Sequence, residues 1–305
     1  NHPGEIAYLS KLAQPNVALV NNAQREHQEF MGTVEAVAHE NGAVLQALPL
    51  EGVAVFPSDD VYTPIWQALS GHRVQRCFAM ASANEADVRA TVVVWQSGAW
   101  QFTLKTPEGT APVRLHIAGR HNVKNALAAS ACALAAGVPL AVVAQGLLAF
   151  EPVKGRSRAL VLHSGGADLT LIDDTYNANP DSVRAAIDVL AELPAPRLLV
   201  LGDMGEVGNQ GPEFHAEVGA YAAERGIESL FTLGDLCVHS SQAFEGAHHF
   251  ADMDNLQQTV LAQITSYNSV LVKGSRFMKM ERVVDALRNR FEQAQASERE
   301  SVHAA

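Results

Sequence analysis

The 305-residue sequence predicts an α/β fold whose second half is a mostly parallel, doubly wound sheet. Three observations carry this. Beyond about Gly155, short apolar runs alternate with amphipathic helical stretches, the rhythm that builds parallel sheets covered on both faces. Ahead of it, residues 88–117 are rich in Val, Trp and Thr and read as an antiparallel meander. In the second half the apolar runs end in carboxylates, glycines or cations, which a parallel sheet gathers on one edge.

In the first half, Asn16–Val20 reads as a strand ending in Asn21-Asn22, Thr33–Leu48 as a helix and Gly52–Phe56 as a second strand. The meander comprises Val88–Trp95, Trp100–Leu104 and Val113–Ile117, split by Gln96-Ser97-Gly98 and Pro107-Glu108-Gly109. Val123–Ala136 is Ala-rich and helical, opened by Asn122 and closed by Gly137, and Pro139 begins the next helix. A domain boundary is expected near Pro152–Gly155, giving domains 1–153 and 154–291. Predicted strands in the second are Leu169–Asp173, Leu198–Met204, Ser229–Leu233, His248–Phe250 and Val270–Val272. Helical patterns lie near 181–193, 213–225, 235–243, 254–265 and 279–290, and the polar segment 292–305 is expected to be a flexible tail.

Composition narrows the function. A net charge of −11 leaves no basic stripe for a nucleic-acid backbone, although a local site can still be positive. No apolar run approaches the roughly 18–20 residues that cross a bilayer, so membrane insertion is not expected. Cys77, Cys132 and Cys237 are far apart and read as reduced core thiols, which points to the cytoplasm. The twelve histidines lack zinc-type spacing.

The most informative run is Leu171-Ile172-Asp173-Asp174-Thr175-Tyr176-Asn177-Ala178-Asn179-Pro180. A strand ends in two acids, a polar turn follows, and Asn179-Pro180 is placed to cap and begin a helix. Asn179 is either a cap alone or also a ligand. The other strand ends read Gly202-Asp203-Met204-Gly205-Glu206, Gly234-Asp235 and Lys273-Gly274-Ser275-Arg276. Acids on some strands and Lys273 with Arg276 on another suit a zwitterion, the acids holding its ammonium and the bases its carboxylate. The Gly202, Gly205, Gly208 spacing is no dinucleotide fingerprint, and the chain has no Gly-Lys dipeptide, hence no phosphate loop of the G-x-x-x-x-G-K-[ST] type. Within Gly119-Arg120-His121-Asn122-Val123-Lys124-Asn125, Asn122 and Asn125 lie three apart in a helix start and could read an adenine edge. His27 follows a strand end and is a candidate metal ligand.

These motifs, with Asn1-His2-Pro3-Gly4-Glu5-Ile6 and Gly155-Arg156, occur in the order found in the ATP-dependent Mur ligases of peptidoglycan synthesis, which the chain resembles through nearly its whole length. The Asp-Asp-Thr-Tyr-Asn-Ala-Asn-Pro run and Gly-Asp-Met-x-Glu resemble most the members that add D-Ala-D-Ala to UDP-N-acetylmuramoyl-tripeptide. The resemblance implies a partial central ATPase-type domain and a Rossmann-like C-terminal domain. It implies ATP and Mg2+ as cofactors and an acyl-phosphate mechanism in which metal offsets anionic charge. It assigns His27 to the metal, and Asn122 and Asn125 to the adenine side. Arg156 and Asp174 match residues holding phosphates and ribose, and Asn177 and Asn179, in the same run as Asp174, are expected with them on the cofactor-binding side. Lys273, Arg276 and Ser275, with Asp203 and Glu206, fall where the incoming amino substrate sits, Lys273 and Arg276 as its catalytic cations.

The sequence also departs from the family. The UDP-sugar domain and the phosphate loop are not in it, and the family's magnesium-binding Glu is expected just ahead of Asn1. The stretch matching the carbamylated Lys of several relatives, Ala38-His39-Glu40-Asn41-Gly42, contains no Lys. The chain, which opens without Met, is therefore expected to be a fragment with negligible ligase activity alone. Two other readings stay open: a relative such as a folylpolyglutamate synthase, and a non-catalytic nucleotide- or peptide-binding protein.

Overall fold

Two six-stranded sheets organise the chain, in a computed structural model that describes residues 1–80, 86–96, 99–164 and 167–303. The chain divides into two compact units, Asn1–Glu151 and Pro152–Ala305, a division two residues ahead of the expected one.

In the first unit, strands β1 (Val17–Leu19), β2 (Val53–Pro57), β3 (Val74–Met80) and β4 (Val88–Gln96) pair in parallel in that order. Strands β5 (Ala99–Thr106) and β6 (Gly109–Leu115) then extend the sheet antiparallel, forming the expected meander. Its Ser97-Gly98 turn lies outside the described residues. Thr91 and Val94 pair with Thr103 and Gln101, so β4 carries one extra residue, and Val92 takes φ +55° at this bulge. Helices α1 (Glu5–Ala13), α2 (Gln28–Met31), α3 (Val34–Gln46), α4 (Thr63–Ser70), α5 (Arg120–Ala135) and α6 (Leu140–Leu148) complete the unit. One core joins the sheet to α5 and α6 through Val55, Phe78, Leu104, Leu127 and Ala131; another joins β1 and β2 to α3 and α4 around Phe56 and Trp66. One helix start differs from expectation. Helix α5 begins at Arg120, with Gly119 at φ +88° before it, so Asn122 lies inside the first turn and is not its cap. Helix α1 is capped from afar, because the Glu40 carboxylate accepts the N–H groups of Gly4 and Ile6.

The second unit does not alternate strictly. It opens with an antiparallel hairpin, β7 (Arg158–Ser164) with β8 (Ala167–Asp174), and only then alternates. Strands β9 (Arg197–Gly202), β10 (Ser229–Leu233), β11 (His248–Phe250) and β12 (Ser269–Lys273) pair in parallel in the order β11-β10-β9-β12-β8. Helices α7 (Pro180–Ala191), α8 (Gly211–Glu224) and α9 (Cys237–Gln242) pack against one another. Helices α10 (Met253–Gln263) and α11 (Glu281–His303) bury Leu256, Val260, Val283 and Leu287 on the other face, against Leu171, Leu198, Val200, Phe231 and Val270. Alternation along each strand sends the intervening Ile172, Leu199, Leu201 and Leu271, also buried, to the opposite side. The segment expected to be a flexible tail is instead assigned as helix to His303, since α11 continues through it; Ala304 and Ala305 lie outside the described residues.

This order places a switch point at β12. The chain leaves β12 toward α11 on one face, whereas its neighbours β8 and β9 lead to α7 and α8 on the other. The crevice beyond the carboxyl end of such a strand is where open α/β sheets bind ligands.

Candidate ligand site at the strand ends

The two acids ending β8 do different work because consecutive side chains point to opposite faces. Asp173 is buried and accepts the Gly155 N–H at 3.0 Å and the Thr175 hydroxyl at 2.7 Å. Asp174 accepts the Ser157 N–H at 2.9 Å on one oxygen and the Lys273 ammonium at 2.6 Å on the other. Lys273 stands opposite Asp174 in the β12–β8 register and also donates to the Asn177 carbonyl at 2.9 Å. The pair is nearly dry, with 4 % of the Lys273 side chain and 15 % of that of Asp174 exposed. Its hydrogen bonds offset a desolvation cost that would otherwise exceed the attraction.

Ser275 ties three loops. Its buried hydroxyl accepts the Gly205 N–H at 2.7 Å and donates to the Ala178 carbonyl at 3.2 Å, while its own N–H donates to the Asp203 carbonyl. Asp203, expected among the substrate-side residues, is turned inward instead. Its carboxylate accepts the Cys237 N–H at 2.7 Å and the Leu236 N–H at 3.2 Å, holding the start of α9. Gly234 makes this possible: at φ +114°, a Cβ there would lie 2.4 Å from the carboxylate carbon. Asn179 is the cap of α7 in a reciprocal box with Ser182, so its side-chain oxygen Oδ1 is committed to the Ser182 N–H at 2.7 Å. The Asn177 side-chain oxygen Oδ1 accepts from the adjacent Ala178 N–H.

The remaining expected residues face solvent around this frame. The Arg156 guanidinium lies over the Tyr176 ring at 4.1 Å from its centre, a cation–π contact. The Arg276 guanidinium is 3.3 Å from the Glu281 carboxylate and two-thirds exposed; Glu206 is exposed at φ +57°. Sequence reasoning missed Ser157 and Phe277. Only position, one residue beyond a quoted motif in each case, could have signalled them.

Below the site, the buried His215 donates from Nδ1 to the Gly211 carbonyl and accepts the Met204 N–H on Nε2 at 2.9 Å. Burial holds its pKa below the usual imidazole range, and burial likewise pushes the Cys237 thiol well up. Asp203, His215 and Cys237 are the one trio of close ligating groups among the described residues. The imidazole and carboxylate atoms that would bind a metal already accept backbone N–H groups. His27 belongs to no close trio of ligating groups among the described residues and takes φ +52° ahead of α2. One imidazole does not fit magnesium, a hard ion that takes oxygen ligands, so these residues alone do not form its site.

In the first unit the amides form a chain. Asn21 donates to Asn125 at 2.9 Å, Asn125 to Asn122 at 3.0 Å, and Asn122 to the Ala118 carbonyl at 2.7 Å. Asn122 and Asn125 stand on a cavity of 130 Å³ whose other walls are apolar, from Leu115, Ile117, Ala126, Ala129, Leu147 and Phe150. Asn41, in the stretch without a Lys, donates to the Asn22 carbonyl and the Glu26 carboxylate.

Comparison with known proteins agrees with this architecture. Residues 1–133 match the Mur ligase middle domain, and residues 157–276 the Mur ligase, glutamate ligase domain. The UDP-N-acetylmuramoyl-tripeptide–D-alanyl-D-alanine ligase of Escherichia coli K12 is 38 % identical over 289 residues, covering 94 % of this chain and 63 % of that protein. The enzyme of the same name from Haemophilus influenzae is 38 % identical over 297 residues, covering 95 % and 63 %. The crystal structure of MurF from Acinetobacter baumannii superposes with a TM-score of 0.86 at 32 % identity, covering 94 % of this chain and 63 % of that one. MurF ligase from Thermotoga maritima, solved in complex with ADP, gives 0.81 at 22 % identity, covering 96 % and 66 %. The chain thus spans less than two thirds of the length of these curated relatives. It belongs to the Mur ligase family, whose middle and C-terminal domains it carries.

Proposed function

We propose that this chain is the catalytic and acceptor-binding portion of an ATP-dependent, ADP-forming ligase that joins D-Ala-D-Ala to UDP-N-acetylmuramoyl-tripeptide in the cytoplasm. The observation that carries the reading is the frame at the β12 switch point, rimmed by Arg276 and Glu206, in a chain related to enzymes of that name. A zwitterionic dipeptide suits such a rim, its carboxylate on Arg276 and its ammonium near Glu206.

In this reading a tripeptide carboxylate oxygen attacks the γ-phosphorus of ATP and ADP leaves. The dipeptide amine then attacks the acyl carbon, phosphate departs, and the nitrogen loses its proton. Lys273, Asp174, Asn177 and Ser275 hold the loops that carry the rim, and Asp203 fixes α9 beneath them, which makes Lys273 a positioning residue. The apolar cavity edged by Asn122 and Asn125 takes adenine, a flat base with a hydrogen-bonding edge. ATP would be used with magnesium, and no step is assigned to the ion. Mass spectrometry of UDP-tripeptide incubated with ATP, magnesium, D-Ala-D-Ala and the full gene product tests the reading. The expected product carries the dipeptide in amide linkage; recovery of tripeptide alone would overturn it. In the same assay, Asn125→Ala raises the KM for ATP at least about fivefold through a lost hydrogen bond.

A further inference from the structure

The turn after β12 places three apolar side chains in sequence, and they part company. Met278 and Met280 turn inward onto Gly202, where a Cβ would lie 3.2 Å from Met278 and 2.8 Å from the Met280 sulfur. Phe277 turns outward and is 63 % exposed. Its ring lies against the loop after β9, since a Cβ on Gly205 would stand 3.0 Å from the ring edge and 3.4 Å from the Ser275 hydroxyl. Gly205 precedes Glu206 and Phe277 follows Arg276 in the chain, so the ring bridges the two loops that carry the anion and the cation of the rim.

We propose that Phe277 is a specificity-determining residue: the apolar wall of the acceptor site, against which a methyl of the incoming dipeptide packs. The proposal rests on the acceptor-site reading above. A dipeptide held at its ammonium and carboxylate presents its two side chains between those charges, where polar walls would leave them in water. The ring instead removes a methyl from water, and its approach to Gly205 leaves no room there for a large substituent.

The test uses the full gene product and three acceptors, D-Ala-D-Ala, Gly-D-Ala and D-Ala-Gly, with unsubstituted enzyme, Phe277→Ala and Phe277→Leu. Exposure of the ring makes both variants fold normally, which thermal unfolding checks. In Phe277→Ala, kcat/KM for D-Ala-D-Ala falls about fivefold, the worth of one buried methyl, while that for at least one glycine-containing acceptor stays unchanged. Phe277→Leu recovers most of the loss, and the KM for ATP does not move in either variant. An equal loss on all three acceptors, or none, overturns the wall while leaving the ligase reading intact. Absence of acceptor-dependent phosphate release from the unsubstituted protein overturns the ligase reading and the wall with it.

Discussion

At Lys273, a buried ammonium and the Asp174 carboxylate share a contact of 2.6 Å with little water to screen it. Replacing Lys273 with Met leaves the acid buried with only Ser157 to satisfy it, so stability falls by about 3 kcal/mol in urea unfolding. A change below about 1 kcal/mol would mean that the pair is solvated after all. Asn179→Ala removes only a cap and costs about 1 kcal/mol by the same measurement. The sequence made it legible that these residues share one sheet edge, because parallel strands align their carboxyl ends. It left open which of them turn inward. That depends on the parity of each strand's last residue, as Asp173 and Asp174 illustrate, and on remote gaps such as the missing side chain of Gly234 that admits Asp203. A distant glycine leaves no mark beside the residue it accommodates.

Elements were legible where their periodicity was undisturbed, as in the parallel strands of the second unit and the meander. Strand β3 escaped because Gln75 and Arg76 interrupt its apolar run, Arg76 pairing with Glu108 at 2.8 Å. Strand β7 escaped because it is a half-exposed edge ahead of the βα rhythm. The start of α5 was misplaced because Gly119, not Asn122, turns the chain into the helix. At the junction of β9, α8 and α9, His215 predicts a pH dependence. Burial depresses its folded pKa, so the unfolded chain binds more protons just below the ordinary imidazole pKa of about 6.5. The His215 contribution is therefore fully present above that value and is lost as pH falls from it toward the depressed one. The urea midpoint should decrease between about pH 7 and 5, and His215→Gln, which does not titrate, should flatten that slope. An unchanged slope would assign the dependence to other groups; Glu5 and Asp252, whose pKa values are also lowered, act only at lower pH.

For the whole molecule, each unit has its own sheet and its own core, so residues 152–305 expressed alone should unfold cooperatively. Circular dichroism on heating checks this, and a gradual loss of signal would show that the unit needs the first. These 305 residues hold no Gly-Lys phosphate loop, so on their own they should release phosphate negligibly from ATP. The measurement that bears most directly on the central claim is phosphate release by the full gene product given ATP, magnesium and UDP-N-acetylmuramoyl-tripeptide, with and without D-Ala-D-Ala. Release that requires the dipeptide is the predicted result; release indifferent to it would contradict the assignment of the β12 crevice as the acceptor site.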